Sequence, residues 1–234
     1  MKIAATMVVK NEGDIIGATL DALSTQVDKI FIVDNESTDN TVEIASRYKN
    51  TVIHSMPGAY NHPLAHKQMI KMAQSYDWVV CVDGDEIWSN IKAVEKYRMY
   101  DTVKVTSINN FMLLTDSPTF DVKNFAYYKT SDITRHPRII FKPVVGGQLR
   151  TVGEGSHDNG SKNWAETKKI RVDHYPMRSV EQYKKKITNG CNSLLQRKTS
   201  KVATHWFRWY NLLEQGIFHQ EMESKINMWR QRML

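Results

Sequence analysis

The stretch that decides the fold runs from Trp78 to Glu86 and reads Trp-Val-Val-Cys-Val-Asp-Gly-Asp-Glu. An unbroken apolar run of this kind is typical of a strand that is buried on both faces, and such strands occur mainly in parallel sheets. Three carboxylates follow within four residues, where the strand would end. Ligands of open α/β sheets bind outside the carboxyl ends of the strands, so these acids indicate a binding edge.

Three more apolar segments precede this stretch and alternate with helical patterns. Strands are predicted at Ile3–Val9, Lys29–Val33 and Thr51–His54, and helices at 14–23, 40–48 and 61–76, the second opened by a capping box that begins at Asn40. Each crossover is long enough for a helix, so the four strands are expected to lie parallel. The predicted fold is α/β, a Rossmann-like open and mostly parallel sheet flanked by helices.

The remaining sequence is less regular. It predicts strands at Thr102–Asn109 and Arg138–Phe141, an aromatic loop at Phe111–Asp132 and a Gly-rich loop at Val145–Asn163. Helices are predicted at Ser179–Arg197, with a break at Gly190, and at Thr204–Met233. Two domains are expected. Residues 1–175 would form the α/β domain that carries the binding edge, and residues 176–234 a helical extension that packs on it or mediates a dimer or membrane contact.

The composition is that of a globular protein, with 41% hydrophobic and 24% charged residues. The two cysteines offer no disulfide framework, and Cys81, within an apolar strand, is expected to be a buried free thiol. No signal peptide and no apolar run of membrane-spanning length is seen, which favours the cytoplasm, with the inner face of a membrane as an extension of that prediction.

The net charge of +7 is unevenly distributed, with eleven Lys and Arg against three Asp and Glu between Lys162 and Lys201. Such a surface suits a diphosphate, an anionic membrane, nucleic acid or an acidic glycan, and it equally suits a solvated face. Charge alone therefore selects no partner.

Three polar clusters fall at predicted strand ends: Lys10–Glu12, Asp34–Asp39 and Asp83–Glu86. Because the carboxyl ends of parallel strands share one edge, the clusters are expected to converge. The acids of the third cluster repel one another unless a cation neutralises them, and carboxylate oxygens suit Mg²⁺ or Mn²⁺. Asp-Gly also occurs in plain turns, but its position after a buried strand favours a metal site.

These clusters resemble glycosyltransferase family 2 in order and spacing. The resemblance is carried by Val8-Val9-Lys10-Asn11-Glu12, by Asp34-Asn35-Glu36-Ser37-Thr38-Asp39-Asn40-Thr41 and by Asp83-Gly84-Asp85-Glu86. It covers residues 3–90 and returns in fragments at His157 and at 174–179. It implies a GT-A fold, with residues 1–175 as the nucleotide-sugar-binding and catalytic domain. It also implies a metal-dependent, inverting transfer of a sugar from a nucleoside diphosphate, with UDP expected. The acceptor would be a hydroxyl of a glycan, of a lipid-linked compound or of another molecule.

The resemblance also implies roles for individual residues. Val9, Asn11 and Glu12 would line the nucleotide pocket, Asp34 would hold the base or ribose, Lys67 would face the nucleotide, and His174 and Arg178 would contact the diphosphate. Asp85 would ligate Mn²⁺ or Mg²⁺, and Asp83 would contact ribose or the metal and its water. His157 is preferred to His174 as the further metal ligand. Lys67 is equally typical of a solvated helix lysine, and Asp39 of either a nucleotide contact or a structural turn residue.

The general base and the function class keep open alternatives. Asp158 and Glu154 are the first candidates for the base, with Glu86 behind them. A nucleotidyltransferase also uses paired acids on an open sheet, but it normally has a Gly-rich phosphate loop that is lacking here. A nucleotide or nucleic-acid binding module is suggested by Trp206 and Trp209 near basic residues, although aromatics at helical spacing usually pack a core or an interface. A peripheral membrane contact and a homodimer remain further partner predictions.

Overall fold

The computed structural model describes residues 1–58, 61–113, 120–121, 125–128, 137–153, 158–196, 204–218, 220–221, 223–224 and 227–228. The strands are β1 (Ile3–Val9), β2 (Lys29–Asp34), β3 (Thr51–Ser55), β4 (Trp78–Asp83), β5 (Glu86–Ser89), β6 (Thr102–Leu113), β7 (Phe125–Tyr128), β8 (Arg138–Phe141), β9 (Val144–Val145), β10 (Gln148–Leu149) and β11 (Trp164–His174). The helices are α1 (Ile16–Ser24), α2 (Thr41–Ser46), α3 (His62–Met72), α4 (Val180–Gln196) and α5 (Thr204–Glu214), with a 3₁₀ helix at Ile91–Tyr97.

The chain divides into two compact units. The first unit comprises Met1–Asn109 with Thr130–His174, and the second comprises Asn110–Lys129 with Tyr175–Leu234. The predicted domains were residues 1–175 and 176–234. They differ from this division because they place residues 110–129 in the N-terminal domain.

The main sheet has the strand order β3-β2-β1-β4-β8-β6-β11-β5. The first four strands are parallel, as predicted, and their crossovers carry α1, α2 and α3. Beyond β4 the pairing changes, because β8 lies antiparallel to both β4 and β6, and β11 lies antiparallel to β5. The α/β class is confirmed, and the parallel part of the sheet is the half built by the first four strands.

The core explains why β1 contains almost no polar residue. Its odd-numbered residues, including Ile3 and Met7, pack into one apolar cluster together with Leu20 of α1, whereas Ala4 belongs to a second cluster together with Met69 of α3. Successive side chains of a strand point to opposite faces, so a strand covered by helices on both sides must be apolar throughout.

Two helix starts show how local polar groups define the ends. Asn61 caps α3, because its Oδ1 accepts a hydrogen bond from the Leu64 N–H at 3.2 Å. Asn40 precedes α2 but makes no side-chain capping bond, so the predicted capping box is wrong. The neighbouring Asp39 carboxylate instead accepts the Thr41 N–H at 3.0 Å.

Several elements are not predicted from the sequence. Strands β5 and β11 and the 3₁₀ helix fall in segments without a clear apolar period. The predicted Gly-rich loop contains the β9–β10 hairpin, whose turn places Gly146 and Gly147 at φ angles of 58° and 77°. Positive φ at both turn positions is what a two-residue hairpin requires, and glycine adopts it without strain.

The second unit contains a strand pair and a helical part. Residues 110–113 of β6 pair antiparallel with β7. Helix α4 continues through Gly190, so the predicted break is wrong. The ring of Trp206 in α5 lies against Gly190, where an added Cβ would be 2.8 Å from the ring. The predicted helix at 204–233 is interrupted, because α5 ends at Glu214 before a turn.

Two composition-based predictions concern the thiols and the membrane. Cys81 and Cys191 are both free and buried, as expected for Cys81. Within the described ranges, no helix has the length and apolar character needed to cross a bilayer.

Candidate active site

The carboxyl ends of β1, β2 and β4 meet at one edge of the sheet. In the parallel register Val9 pairs with Asp34, and Val8 pairs with Asp83. The segments that follow these residues therefore start side by side, which confirms the predicted convergence of the three polar clusters. The Val9 carbonyl accepts the Asn35 N–H at 2.9 Å, so Val9 joins the ends of β1 and β2.

Asp34 and Asn35 place buried acceptor oxygens at this edge. Oδ2 of Asp34 accepts the Ser37 N–H at 3.1 Å, and the Asn35 amide donates to the Met56 carbonyl at 2.8 Å. Oδ1 of each residue is buried and has no hydrogen-bond partner among the residues that the structure describes. A buried acceptor without a partner costs about 1–3 kcal/mol, so the pair is suited to a ligand that donates hydrogen bonds.

Asn11 and Glu12 tie the end of β1 to the loop after β2. The Asn11 N–H donates to Ser37 Oγ at 2.9 Å, and Asn11 Oδ1 accepts the Thr38 N–H at 2.7 Å. Asn11 has a φ angle of 55°, a left-handed conformation that asparagine tolerates better than most residues. The Glu12 side chain lies against Gly84, where an added Cβ would be 3.0 Å from Glu12 Cγ. Both residues thus lie at the edge predicted for the nucleotide.

Asp39 uses its carboxylate to hold this loop together. It accepts the Gly13 N–H at 2.9 Å, the Thr41 N–H at 3.0 Å and the Thr41 hydroxyl. The Thr41 hydroxyl in turn accepts the Glu12 N–H at 2.8 Å. Because both carboxylate oxygens bond within the protein, the geometry favours the structural interpretation of Asp39.

The acidic turn contains three carboxylates with different surroundings. The side chain of Asp83 is 41% exposed, whereas those of Asp85 and Glu86 are 3% and 0% exposed. Glu86 Oε2 accepts the Asp83 N–H at 3.2 Å and the Trp88 indole N–H at 3.0 Å. Glu86 Oε1 accepts a hydrogen bond from Arg138 Nε. Glu86 is therefore bonded within the protein through both oxygens.

Burial raises the pKa of Glu86 to about 7, and the negative charges of Asp83 and Asp85 act in the same direction. The Arg138 guanidinium opposes this rise. A general base must reach the proton that it abstracts, and a fully buried carboxylate with both oxygens bonded does not face an acceptor hydroxyl. The geometry thus places Glu86 as a support for the turn, at variance with its prediction as a base candidate.

Arg138 was not predicted as a site residue. It begins β8, its side chain is 8% exposed, and its Nη2 lies 3.8 Å from Asp83 Oδ2. The signal in the sequence is an arginine that heads the apolar run Ile-Ile-Phe, since a buried arginine needs an acidic partner. The sequence does not identify that partner, because β4 and β8 are remote in sequence and become neighbours only when the chain folds.

His174 is the histidine that the structure brings to the acidic turn. Strand β11 pairs antiparallel with β5, which sets His174 opposite Glu86. His174 Nε2 lies 3.6 Å from Asp85 Oδ1. The competing candidate His157, and the base candidate Glu154, lie outside the described residues. In the described part of the chain, no three His, Cys, Asp or Glu side chains gather as ligands for one metal ion.

Asp158 is not brought to this edge. It lies next to Asn159, whose Nδ2 donates to Thr102 Oγ1 at 3.0 Å. Thr102 and Val79 both pair with Phe141, so Thr102 lies level with the start of β4, and Asp83 is at the opposite end of that strand. The Asp158 Oδ1 accepts the Asn159 and Gly160 N–H groups, as in a local turn.

Two basic candidates complete the set. Lys67 is exposed on α3, as expected for a solvated lysine. Arg178 belongs to the second unit, where it is 2% exposed and donates through Nη1 to the Tyr175 carbonyl at 3.1 Å. The roles predicted for Lys67 at the nucleotide and for Arg178 at the diphosphate remain predictions.

Comparison with known proteins gives one family. Residues 5–105 match the family described as glycosyl transferase family 2. An O-antigen chain rhamnosyltransferase, WbaN, of Salmonella anatum is 35% identical over 71 residues, which are 30% of this chain and 22% of that protein. An uncharacterized glycosyltransferase of Rickettsia felis is 33% identical over 85 residues, which are 36% of this chain and 29% of that protein. This chain thus spans less than a third of the length of either relative.

A solved structure is also similar in part. Glucosyl-3-phosphoglycerate synthase from Mycobacterium tuberculosis, in complex with Mn²⁺, UDP and glucosyl-3-phosphoglycerate, is 22% identical, with a TM-score of 0.37 and coverage of 44% of this chain and 43% of that one. The family match extends from within β1 into β6 and includes all three polar clusters of the edge. Over residues 5–105, the chain is similar to glycosyl transferase family 2.

Proposed function

We propose that the protein is a glycosyltransferase that moves a sugar from a nucleoside diphosphate, with UDP as the first candidate, onto a hydroxyl acceptor. One observation carries the proposal. A buried carboxylate oxygen of Asp34 is left for a ligand at the same sheet edge that carries the acidic turn and His174. The family match over residues 5–105 supports the reaction class, and the edge offers groups for both ends of a nucleoside diphosphate.

The nucleoside end fits the groups after β2. Oδ1 of Asp34 and Oδ1 of Asn35 are acceptors, and uracil N3–H and the ribose hydroxyls are donors. Transfer of such donors from water to a buried carboxylate is favourable because a charge-assisted hydrogen bond forms where none existed. Asn11 and Glu12 border the same space from the end of β1.

The diphosphate end fits a divalent cation, Mn²⁺ or Mg²⁺. Asp85, Asp83 and His174 are the residues that would hold it, with His157 kept as the alternative histidine. These cations are usually bound by one or two carboxylates together with substrate phosphates, so a complete protein cage is not required. When bound, the cation neutralises the charge that develops on the diphosphate leaving group.

On the acceptor side, the proposal concerns the general base and the kind of acceptor. Inversion requires the acceptor hydroxyl to attack from the face opposite the diphosphate and to lose its proton to a base. Glu86 is fully buried and Asp158 lies away from the edge, so Glu154 is the base candidate that stays in the proposal. A glycan, a lipid-linked acceptor and another hydroxyl compound all meet the chemical requirement.

The test is binding of UDP and of UDP-sugars, measured by isothermal titration calorimetry with and without Mn²⁺. Wild-type protein is expected to bind UDP more tightly with Mn²⁺, and Asp34→Asn to weaken UDP binding by about tenfold or more, the effect of one charge-assisted hydrogen bond. The matched control is Asp77→Asn, an aspartate that is 59% exposed before β4, at the other end of that strand.

Asp85→Asn separates the enzyme from a binding module. It is expected to abolish Mn²⁺-dependent transfer or hydrolysis of the UDP-sugar while UDP binding without metal is retained. Equal UDP affinity in wild type and Asp34→Asn would overturn the proposed nucleotide site. Nucleotide binding without turnover of any nucleotide sugar would favour the binding module.

A further inference from the structure

The acidic turn rests on a buried ion pair between Arg138 and Glu86. The two side chains are 8% and 0% exposed, and Arg138 Nε donates to Glu86 Oε1. Burying two charges costs several kcal/mol for each ion before their attraction is counted, so such a pair is rarely an efficient source of stability. Its place beneath the turn indicates a role other than stability alone.

Each group of the pair contacts a different part of the turn. Arg138 reaches Asp83 Oδ2 with Nη2, at 3.8 Å, while its Nε bonds to Glu86. Glu86 holds the Asp83 N–H at 3.2 Å and the Trp88 indole N–H at 3.0 Å with its second oxygen. The Asp83 backbone is thus held by a hydrogen bond, its carboxylate lies at ion-pair distance from Arg138, and the Trp88 indole of β5 bonds to the same Glu86 oxygen.

The charges of the turn are also matched to a cation. The three carboxylates of Asp83, Asp85 and Glu86 carry three negative charges when ionised, and Arg138 carries one positive charge. Arg138 offsets one of these charges, so the acidic turn as a whole keeps an excess of negative charge when its carboxylates are ionised. Two carboxylates are the protein contribution that Mg²⁺ or Mn²⁺ commonly takes at phosphate sites.

We infer that Arg138 and Glu86 are positioning residues that hold Asp83, and with it the acidic turn, in the arrangement that receives a divalent cation. The inference rests on the proposed function, because it concerns the same cation. Neither residue touches the substrate in this role. Groups behind a metal ligand set its orientation, and their loss typically lowers metal affinity about 10–100-fold.

Arg138→Lys is the decisive variant because it keeps the charge and removes the geometry. An arginine presents Nε and Nη2 at fixed angles to two acceptors, whereas a lysine ammonium is a single point charge. Lysine at this position still neutralises Glu86 but does not hold Asp83 through a planar fork. Glu86→Gln tests the other partner, since Gln still offers one oxygen to the Asp83 and Trp88 N–H groups.

The experiment measures Mn²⁺ binding by electron paramagnetic resonance of free Mn²⁺, and UDP binding by calorimetry with and without Mn²⁺. The proteins are the wild type, Arg138→Lys, Glu86→Gln and the control Arg150→Lys, which changes an arginine paired with Asp101 at 3.7 Å. All are compared at least 15 degrees below their own unfolding midpoints, a margin of roughly the size that keeps the native state dominant.

Both site variants are expected to lose Mn²⁺ affinity by about tenfold or more and to keep the metal-free UDP affinity, with Arg150→Lys unchanged. A purely structural pair would lower the unfolding midpoint and leave Mn²⁺ affinity untouched, and that result would overturn the inference while the proposed function stands. If wild-type protein binds neither Mn²⁺ nor UDP, the proposed function and the inference both fall. If one site variant does not fold, the other decides the outcome.

Discussion

Asp34 and Asp39 belong to the same loop, and the sequence alone does not separate their roles. Both are aspartates after an apolar strand, and both belong to the family-like motif. The structure distinguishes them by their partners. Asp39 bonds to Gly13 and Thr41 through both oxygens, whereas one oxygen of Asp34 has no partner in the described part of the chain. Asp39 therefore stabilises the loop itself, whereas Asp34 keeps a buried oxygen for a ligand.

The two aspartates should respond oppositely to substitution. Asp39→Ala leaves the Gly13 and Thr41 donors without their acceptor, so we expect the free energy of unfolding to fall by about 1–2 kcal/mol. Asp34→Asn removes a buried charged oxygen that lacks a partner, so stability should be unchanged or higher. Urea unfolding at neutral pH measures both, and Asp39→Asn, which keeps one acceptor oxygen, should lose less than Asp39→Ala. Equal destabilisation by Asp34→Asn and Asp39→Ala would contradict this assignment.

Site residues were predictable where they follow a parallel strand. Asp34, Asp83 and Asp85 could be placed together because strand ends of a parallel sheet share an edge. Arg138 and His174 reach the same edge from antiparallel strands, and their register is determined by pairings that are remote in sequence. Asp158 lies next to Asn159, and the hydrogen bond from Asn159 to Thr102 is one that no local sequence pattern indicates.

At the level of elements, prediction succeeded where burial dictates the residue types. β1, β2 and β4 consist mainly of buried apolar residues and were predicted to within one residue at each end. β11 was missed because Lys168 and Lys169 are consecutive exposed residues, which interrupt the alternation that identifies a half-buried strand. β5 was missed because its first residue, Glu86, also belongs to the acidic cluster. Strands with charged residues thus depend on tertiary pairing that a periodicity search does not detect.

Gly190 was predicted to break its helix and instead permits a close helix contact. Gly190→Ala should gain about 1 kcal/mol of helix propensity. It also places a methyl group 2.8 Å from the Trp206 ring, so we expect α4 and α5 to separate and the unfolding midpoint to fall. Circular dichroism of thermal unfolding measures the effect.

The control for this contact is Asn192→Ala, an exposed position of the same helix, which should raise the midpoint slightly. Gly190→Ala combined with Trp206→Leu should recover part of the loss, because the smaller side chain frees space. A Gly190→Ala protein more stable than wild type would show that propensity outweighs the contact.

For the whole molecule, charge and composition were less informative than the sheet. The basic segment between Lys162 and Lys201 contains residues of both units, so no single element carries its charges. Nucleic acid, a membrane surface and a second copy of the chain remain predicted partners. What the whole molecule does determine is how its stability depends on pH, because that property sums over every buried titratable group.

His66 is the buried group from which this dependence can be derived. It is fully buried in α3, with Nδ1 3.1 Å from Thr6 Oγ1 and its ring 4.3 Å from that of His62. Burial lowers the pKa of His66 well below 6.5, and the neighbouring His62 charge lowers it further. The native state therefore keeps His66 neutral at a pH where the unfolded chain binds a proton.

The sign follows from proton uptake. Well above pH 6.5 neither state binds the proton, so His66 contributes no pH dependence. Below pH 6.5 the unfolded state binds a proton that the native state does not bind. The free energy of unfolding then falls by at most about 1.4 kcal/mol per pH unit. Urea unfolding at pH 7.5, 6.5 and 5.5 should show this loss in wild type and a shallower one in His66→Gln. The control variant is His54→Asn, which removes an exposed histidine at the end of β3. Comparing variants cancels the carboxylates common to all three proteins, so parallel profiles for wild type and His66→Gln would mean that His66 is protonated in the folded protein.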